Sequence, residues 1–121
     1  MSYIDGFVLP LKDEKLDDYR AMAETFARKA TELGAIASAE ALGDGLEHGH
    51  TTDFFRAVQA QDGENVVLSF VIWPDKATRD SAWEKIMADP GMQPGGETPF
   101  DGKRMFWGGF KPFVNTLDTP A

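Results

Sequence analysis

Residues 66–90, VVLSFVIWPDKATRDSAWEKIMADP, constrain what this chain can fold into more than any other stretch. They open on an apolar run, residues 66–73, broken only by Ser69. A run of that length, rich in β-branched and aromatic side chains, suits a strand buried on both faces better than a helix. Pro74 and Asp75 stop it: proline brings no amide hydrogen, and aspartate has the short acceptor side chain that caps a helix N-terminus. The next residues predict a helix with Ala82, Trp83, Ile86 and Met87 on one face, ended by Pro90 and Gly91. A central strand feeding an amphipathic helix predicts an α+β layer structure.

The rest of the chain supplies the partners. Residues 3–9 read as a first strand, with Tyr3, Asp5, Phe7 and Leu9 on one face and Pro10 closing it. Asp13 is the expected N-cap of a long helix in which Leu16, Tyr19, Ala23, Phe26, Ala30 and Leu33 recur at helical spacing, up to Gly34. Residues 36–42 form a short or edge strand, diluted by alanine and serine. Residues 43–53 read as a loop. Residues 54–60 are expected to be extended, and the Asp62-Gly63 pair predicts a hairpin joining them to the central strand. A second long loop covers residues 91–103, a last strand residues 104–114, and a loose tail follows Leu117. Gly108-Gly109 in that strand predicts a bulge or a close backbone approach. The order β-α-β-β-α-β is that of a ferredoxin-like sandwich, a single domain over residues 1–121. Its two helices can cover one sheet face only, so the open face is expected to meet a second copy in a homodimer.

Charge and cysteine narrow the function. Twenty acidic against twelve basic residues give a net charge of -8, which repels phosphate backbones, so no nucleic-acid partner is expected. The absence of cysteine excludes disulfides, thiolate nucleophiles and cysteine metal sites. The first residues read as neither signal peptide nor anchor, and no apolar run approaches the roughly 20 residues of a membrane span. No membrane association and a cytoplasmic location are expected.

Three stretches carry a resemblance: SYIDGFVLPL at the start, FVIWPDKATRD at the strand–helix junction, and PFDGKRMFWGGF at residues 99–110. They resemble the small bacterial YbaA-like family, a domain family of unknown function, over almost the whole chain. That family is similar to the dimeric α/β-barrel superfamily, in which two ferredoxin-like protomers pack sheet to sheet. The resemblance therefore implies a dimeric α/β barrel. The superfamily includes antibiotic-biosynthesis-type monooxygenases, haem-degrading enzymes, isomerase-like proteins and ligand-sensing domains, so it implies a fold and not a reaction.

Several residues could carry chemistry. His48 and His50, the only histidines, lie two apart in a Gly-rich loop. Glu40, Glu47 and Asp53 could complete a metal set, but the spacing is weak for that, and neither a metal nor a cofactor is expected. Either histidine could instead serve as a general base beside a pocket. Asp5 is a carboxylate in an apolar strand, and Arg56 is its expected partner, across either a polar spot in the barrel or a structural ion pair. Arg104 could fork onto a carboxylate ligand, or pair with Asp101 or with the partner subunit, with Lys103 alongside. Trp73 and Trp107 could line a cavity or fill an interface, whereas Trp83 is helix core by its spacing. The expected function is binding of a small aromatic or anionic molecule in an apolar cavity of the barrel. A cofactor-independent monooxygenase- or isomerase-like enzyme is the alternative, and a structural dimer with a filled barrel the second.

Overall fold

The computed structural model describes residues 1–92 and 98–118. Its elements are β1 (Tyr3–Lys12), α1 (Leu16–Glu32), β2 (Ala37–Leu42), a single helical turn α2 (Phe54–Ala57), β3 (Glu64–Trp73), α3 (Lys76–Ala88) and β4 (Phe106–Phe110). The strands form one antiparallel sheet in the order β2-β3-β1-β4. With α1 and α3 as crossovers, that order is ferredoxin-like.

Pro10 does not close β1, which runs on to Lys12 against β3. β4 pairs with β1 only over Ile4–Val8, so Pro10 sits where β1 has lost a neighbour on one flank, and a missing amide hydrogen is tolerated there. Asp13 is not a cap either. It begins a 3-10 turn, Asp13–Lys15, and α1 starts without a side-chain cap, with Asp17 and Asp18 at the positive end of its dipole. Gly34 ends the helix region at φ 111°, a left-handed conformation suited to glycine. Asp75 caps α3 as expected, accepting from the Thr78 amide at 2.7 Å.

The expected hairpin is replaced by a helical turn. Asp53 accepts from the Arg56 amide at 2.8 Å and so starts α2, which aims Phe55 and Val58 the same way. Val58 is fully buried against Val8 and Val66, with Leu46 and Phe55 packed around them. β3 pairs instead with β2, an edge strand.

Two faces of the sheet result. Phe7, Leu9, Val67, Ser69, Val71 and Trp73 lie under the helices, in one core around Leu9, Leu11, Tyr19, Ala23 and Val67 and another around Ala30, Val71, Trp73 and Ala82. On the other face lie Ile4, Val8, Leu68, Phe70, Ile72, Phe106 and Phe110, covered only at the Val8–Val66 end by the residues around α2. Leu68 and Phe110 are 44% and 61% exposed there, so β3 is not buried on both faces within the single chain. Met87 is exposed, which removes it from the buried face of α3. β4 is shorter than expected and its register against β1 is unbroken at Gly108 and Gly109, so no bulge forms. A Cβ on Gly109 would lie 2.5 Å from the Tyr3 phenol oxygen and 2.9 Å from an Arg79 nitrogen, which is the close backbone approach. Asp118 accepts from the Ser2 amide at 3.0 Å, and the rest of the expected loose tail lies outside the described residues. Among the described residues no helix is long and apolar enough to cross a membrane.

Candidate functional site

A cavity of about 730 Å³ opens on the helix side of the sheet. Phe7, Leu9 and Ser69 form its floor, Tyr19, Met22, Ala23 and Phe26 of α1 one wall, and Trp83 of α3 another. Met92, Pro99, Phe100 and Met105 close it from the segment after α3. Helical spacing accounts for the α1 wall: positions 19, 22, 23 and 26 share one face. The rings are packed among themselves, with Trp83 6.1 Å from Phe7 and 5.6 Å from Phe26, and Phe100 edge-on to Tyr19 at 5.7 Å. This cavity lies between sheet and helices, on the face opposite the open one where a ligand space was expected.

Its polar feature is a three-residue cluster. Glu40 and Ser69 are opposite one another in the β2–β3 register, with side chains on the helix side. The Ser69 hydroxyl donates to one Glu40 oxygen at 2.5 Å, and the Tyr19 phenol donates to the other, also at 2.5 Å. Burial pushes the Tyr19 phenol far above its ordinary value, and the hydrogen bond to Glu40 and that carboxylate's charge push the same way. Tyr19 therefore stays a neutral phenol that keeps its proton. Tyr19, Ala23 and Glu40 also line a second cavity of about 410 Å³, on the other flank of α1 toward β2.

Asp5 sets one wall without lining it. It is 1% exposed, and its carboxylate accepts from the Trp73 indole at 2.9 Å, the Trp83 indole at 2.8 Å and the Arg79 guanidinium at 2.7 Å. Its partner is Arg79, which also lies over the Tyr3 ring at 5.2 Å, and not Arg56. Asp5 lies on the helix side of the sheet, with both oxygens taken, and Trp83 is turned by it so that its ring faces the cavity.

The other expected site residues are placed elsewhere. His48 stacks on Phe55 at 4.9 Å with its Nδ1 3.7 Å from Asp53, and the His50 carbonyl accepts from Arg56 at 3.2 Å. Arg56 also faces Asp53 at 3.6 Å, so these five residues form a local cluster away from the cavity. Among the described residues no three metal-ligating side chains converge. Arg104 forks onto Glu64 at 2.6 and 2.7 Å and reaches Asp101 at 3.0 Å and the Gln59 carbonyl at 3.0 Å. Its guanidinium is thereby occupied, as the Asp101 pairing anticipated. Lys103 is exposed beside it, its amide donating to Asp101 at 3.0 Å. Trp73 is wholly buried in the core, and Trp107 is 64% exposed on the edge strand; neither lines the cavity. Trp83, expected to be core, does line it. Tyr19 and Ser69 were not singled out, and Glu40 only for a metal. The lone hydroxyl in the apolar run of β3 and the phenol on an apolar helix face were the available signals.

A family model described as protein of unknown function (DUF1428) matches residues 2–102. The uncharacterized protein YbaA of Escherichia coli strain K12 is 43% identical over 116 residues, covering 95% of this chain and 99% of that one. Among solved structures, Rv0793 from Mycobacterium tuberculosis superposes with a TM-score of 0.48 at 9% identity, covering 96% of this chain and 99% of that one. SnoaB from Streptomyces nogalater, described as a cofactor-independent oxygenase, superposes with a TM-score of 0.45 at 12% identity, covering 97% and 98%.

Proposed function

The chain belongs to the family described as protein of unknown function (DUF1428), and we propose from its site that it binds a small apolar or aromatic molecule in the helix-side cavity. The observation that carries this reading is the cavity itself. About 730 Å³ of space lies between aromatic and methionine side chains, with one convergent polar cluster, Tyr19–Glu40–Ser69, on its wall. Size, apolar lining and a few placed polar groups are the features of a small-molecule site. For an anion the lining offers one cation, Lys15, beside the carboxylates of Asp18 and Glu40, because Arg104 and Arg79 are already paired and Arg56 is outside.

The working form in this reading is a homodimer joined through the open sheet face. The support is that Ile4, Leu68, Phe70, Phe106 and Phe110 leave a contiguous apolar surface on one protomer. A catalytic version of the same site, of the cofactor-independent oxygenase or isomerase kind, has Glu40 and Asp18 as its carboxylates, since His48 and His50 are outside and Asp5 is enclosed. Both Glu40 oxygens already accept hydroxyls, which favours binding over proton abstraction.

Native mass spectrometry of protein purified from its own host, compared with the denatured chain, tests the reading. The expected result is a dimer carrying a reproducible extra mass that denaturation releases, and that Met22→Trp at the cavity rim prevents from binding. An adduct that persists in Met22→Trp, or a protein that takes up no aromatic probe at all, would overturn it.

A further inference from the structure

The polar wall of the cavity has spent its hydrogens. Tyr19 and Ser69 both give theirs to Glu40. The Thr25 hydroxyl donates to the Ala21 carbonyl at 3.2 Å and the Thr98 hydroxyl to the Phe100 carbonyl at 3.0 Å. The Trp83 indole donates to Asp5 at 2.8 Å, behind the wall. Each of these side chains lines the cavity, and each presents to it a ring face or oxygen lone pairs. Lys15 is the exception, a side-chain ammonium in the lining that can donate, and it shares that lining with two carboxylates, Asp18 and Glu40.

Lys15 apart, such a wall accepts and does not donate. At the Tyr19–Glu40–Ser69 cluster a carboxylate or phosphate would face a carboxylate and filled lone pairs, and would lose its hydration without gaining a donor from those three residues. A group that brings N–H bonds is matched, and a positive charge on that group is matched twice, by the Glu40 carboxylate and by the faces of the surrounding rings. Resting on the reading that this cavity holds a small molecule, we propose that its ligands are hydrogen-bond donors, specifically protonated primary amines on an aromatic or apolar body, with the ammonium at Glu40 and the body among Phe7, Phe26, Trp83 and Phe100. An anion is disfavoured at Glu40.

A matched series tests this by calorimetric titration of the purified full chain: naphthylethylamine, its N-trimethylated analogue, naphthylethanol and naphthylpropionate. The expected order places the primary amine roughly tenfold or more tighter than the propionate, a gap of the size a single partly solvated charge pair supplies. The alcohol falls between them and the trimethylated cation below the primary amine. Glu40→Gln should erase the amine's advantage and leave the alcohol's affinity within about twofold. Equal or tighter propionate binding overturns the proposal, and so does an amine preference that survives in Glu40→Gln. Equal binding of the trimethylated cation overturns the donor requirement, and this comparison stands even where Glu40→Gln does not fold. Alcohol binding with no gain for the amine sinks the proposal while the cavity reading stands. No binding by any of the four sinks both.

Discussion

Replacing Asp5 by leucine leaves two indole N–H groups without their acceptor and takes from Arg79 its buried carboxylate, leaving it Asp80. Because the pair is buried, the expected loss is about 3–5 kcal/mol, a large part of the ~5–15 kcal/mol by which a domain is stable. Urea denaturation reads this directly, and a loss below about 1 kcal/mol would show that water replaces the carboxylate there. Glu64 offers a pH-dependent counterpart. Its bidentate pairing with Arg104 holds its carboxyl below the ordinary 4.5, against the opposing effect of burial. A depressed folded value means the stabilisation is complete above 4.5 and drains away as the pH falls through that folded value. The thermal midpoints of native protein and Glu64→Gln should therefore differ most above 4.5 and converge below it; a gap indifferent to pH would exclude this linkage. Asp5 was legible as an anomaly, a charge in an apolar strand, but its partner was not. Arg79 is 74 residues away on a helix, and only the pairing of β1 beside β3 places the start of α3 over Asp5.

Among the elements, those whose pattern was long were found as elements: α1, α3 and the central strand were readable from periodicity, and α3 from its cap. The expected Asp13 cap and the burial of β3 on both faces were not observed. The short ones were governed by single residues. In TTDFFRAV, the phenylalanines and valine carry strand propensity, yet Asp53 caps a turn and the three-residue spacing of Phe55 and Val58 seals the α2 end of the open face. The same cap was recognised at Asp75 because a long helix followed it. In β4, one of the two glycines serves a contact. Gly109 lets the strand lie against Tyr3 and Arg79, so Gly109→Ala must push the phenol or the guanidinium aside, at an expected cost of about 1–3 kcal/mol. Gly108→Ala meets nothing closer than 3.7 Å and should cost less. Thermal melts of the two variants side by side check this, and equal midpoints would refute the close-approach argument.

At the scale of the molecule, the three stretches that carried the family resemblance do separate structural work. The first two meet at Asp5, and the third supplies Phe100 to the cavity wall, Arg104 to Glu64 and Gly109 to the Tyr3 contact. The site was less legible than the fold because its polar atoms come from α1, β2 and β3, and no local spacing joins them. Leu68→Glu on the open face should convert a dimer to a monomer without unfolding it, since that side chain is already 44% exposed in the protomer. Light scattering coupled to size exclusion measures this, and a native chain that elutes as a monomer would remove the dimer from the proposal. The Tyr19–Glu40 hydrogen bond has one more consequence. The two cavities on either flank of α1 share it as a common boundary. The bond is a partition between two recesses that are each open to solvent. In the proposed reading, a guest that drew the phenol aside would join them beneath the helix, so the oxygen pair proposed to recognise the guest would also set how far along α1 it can reach.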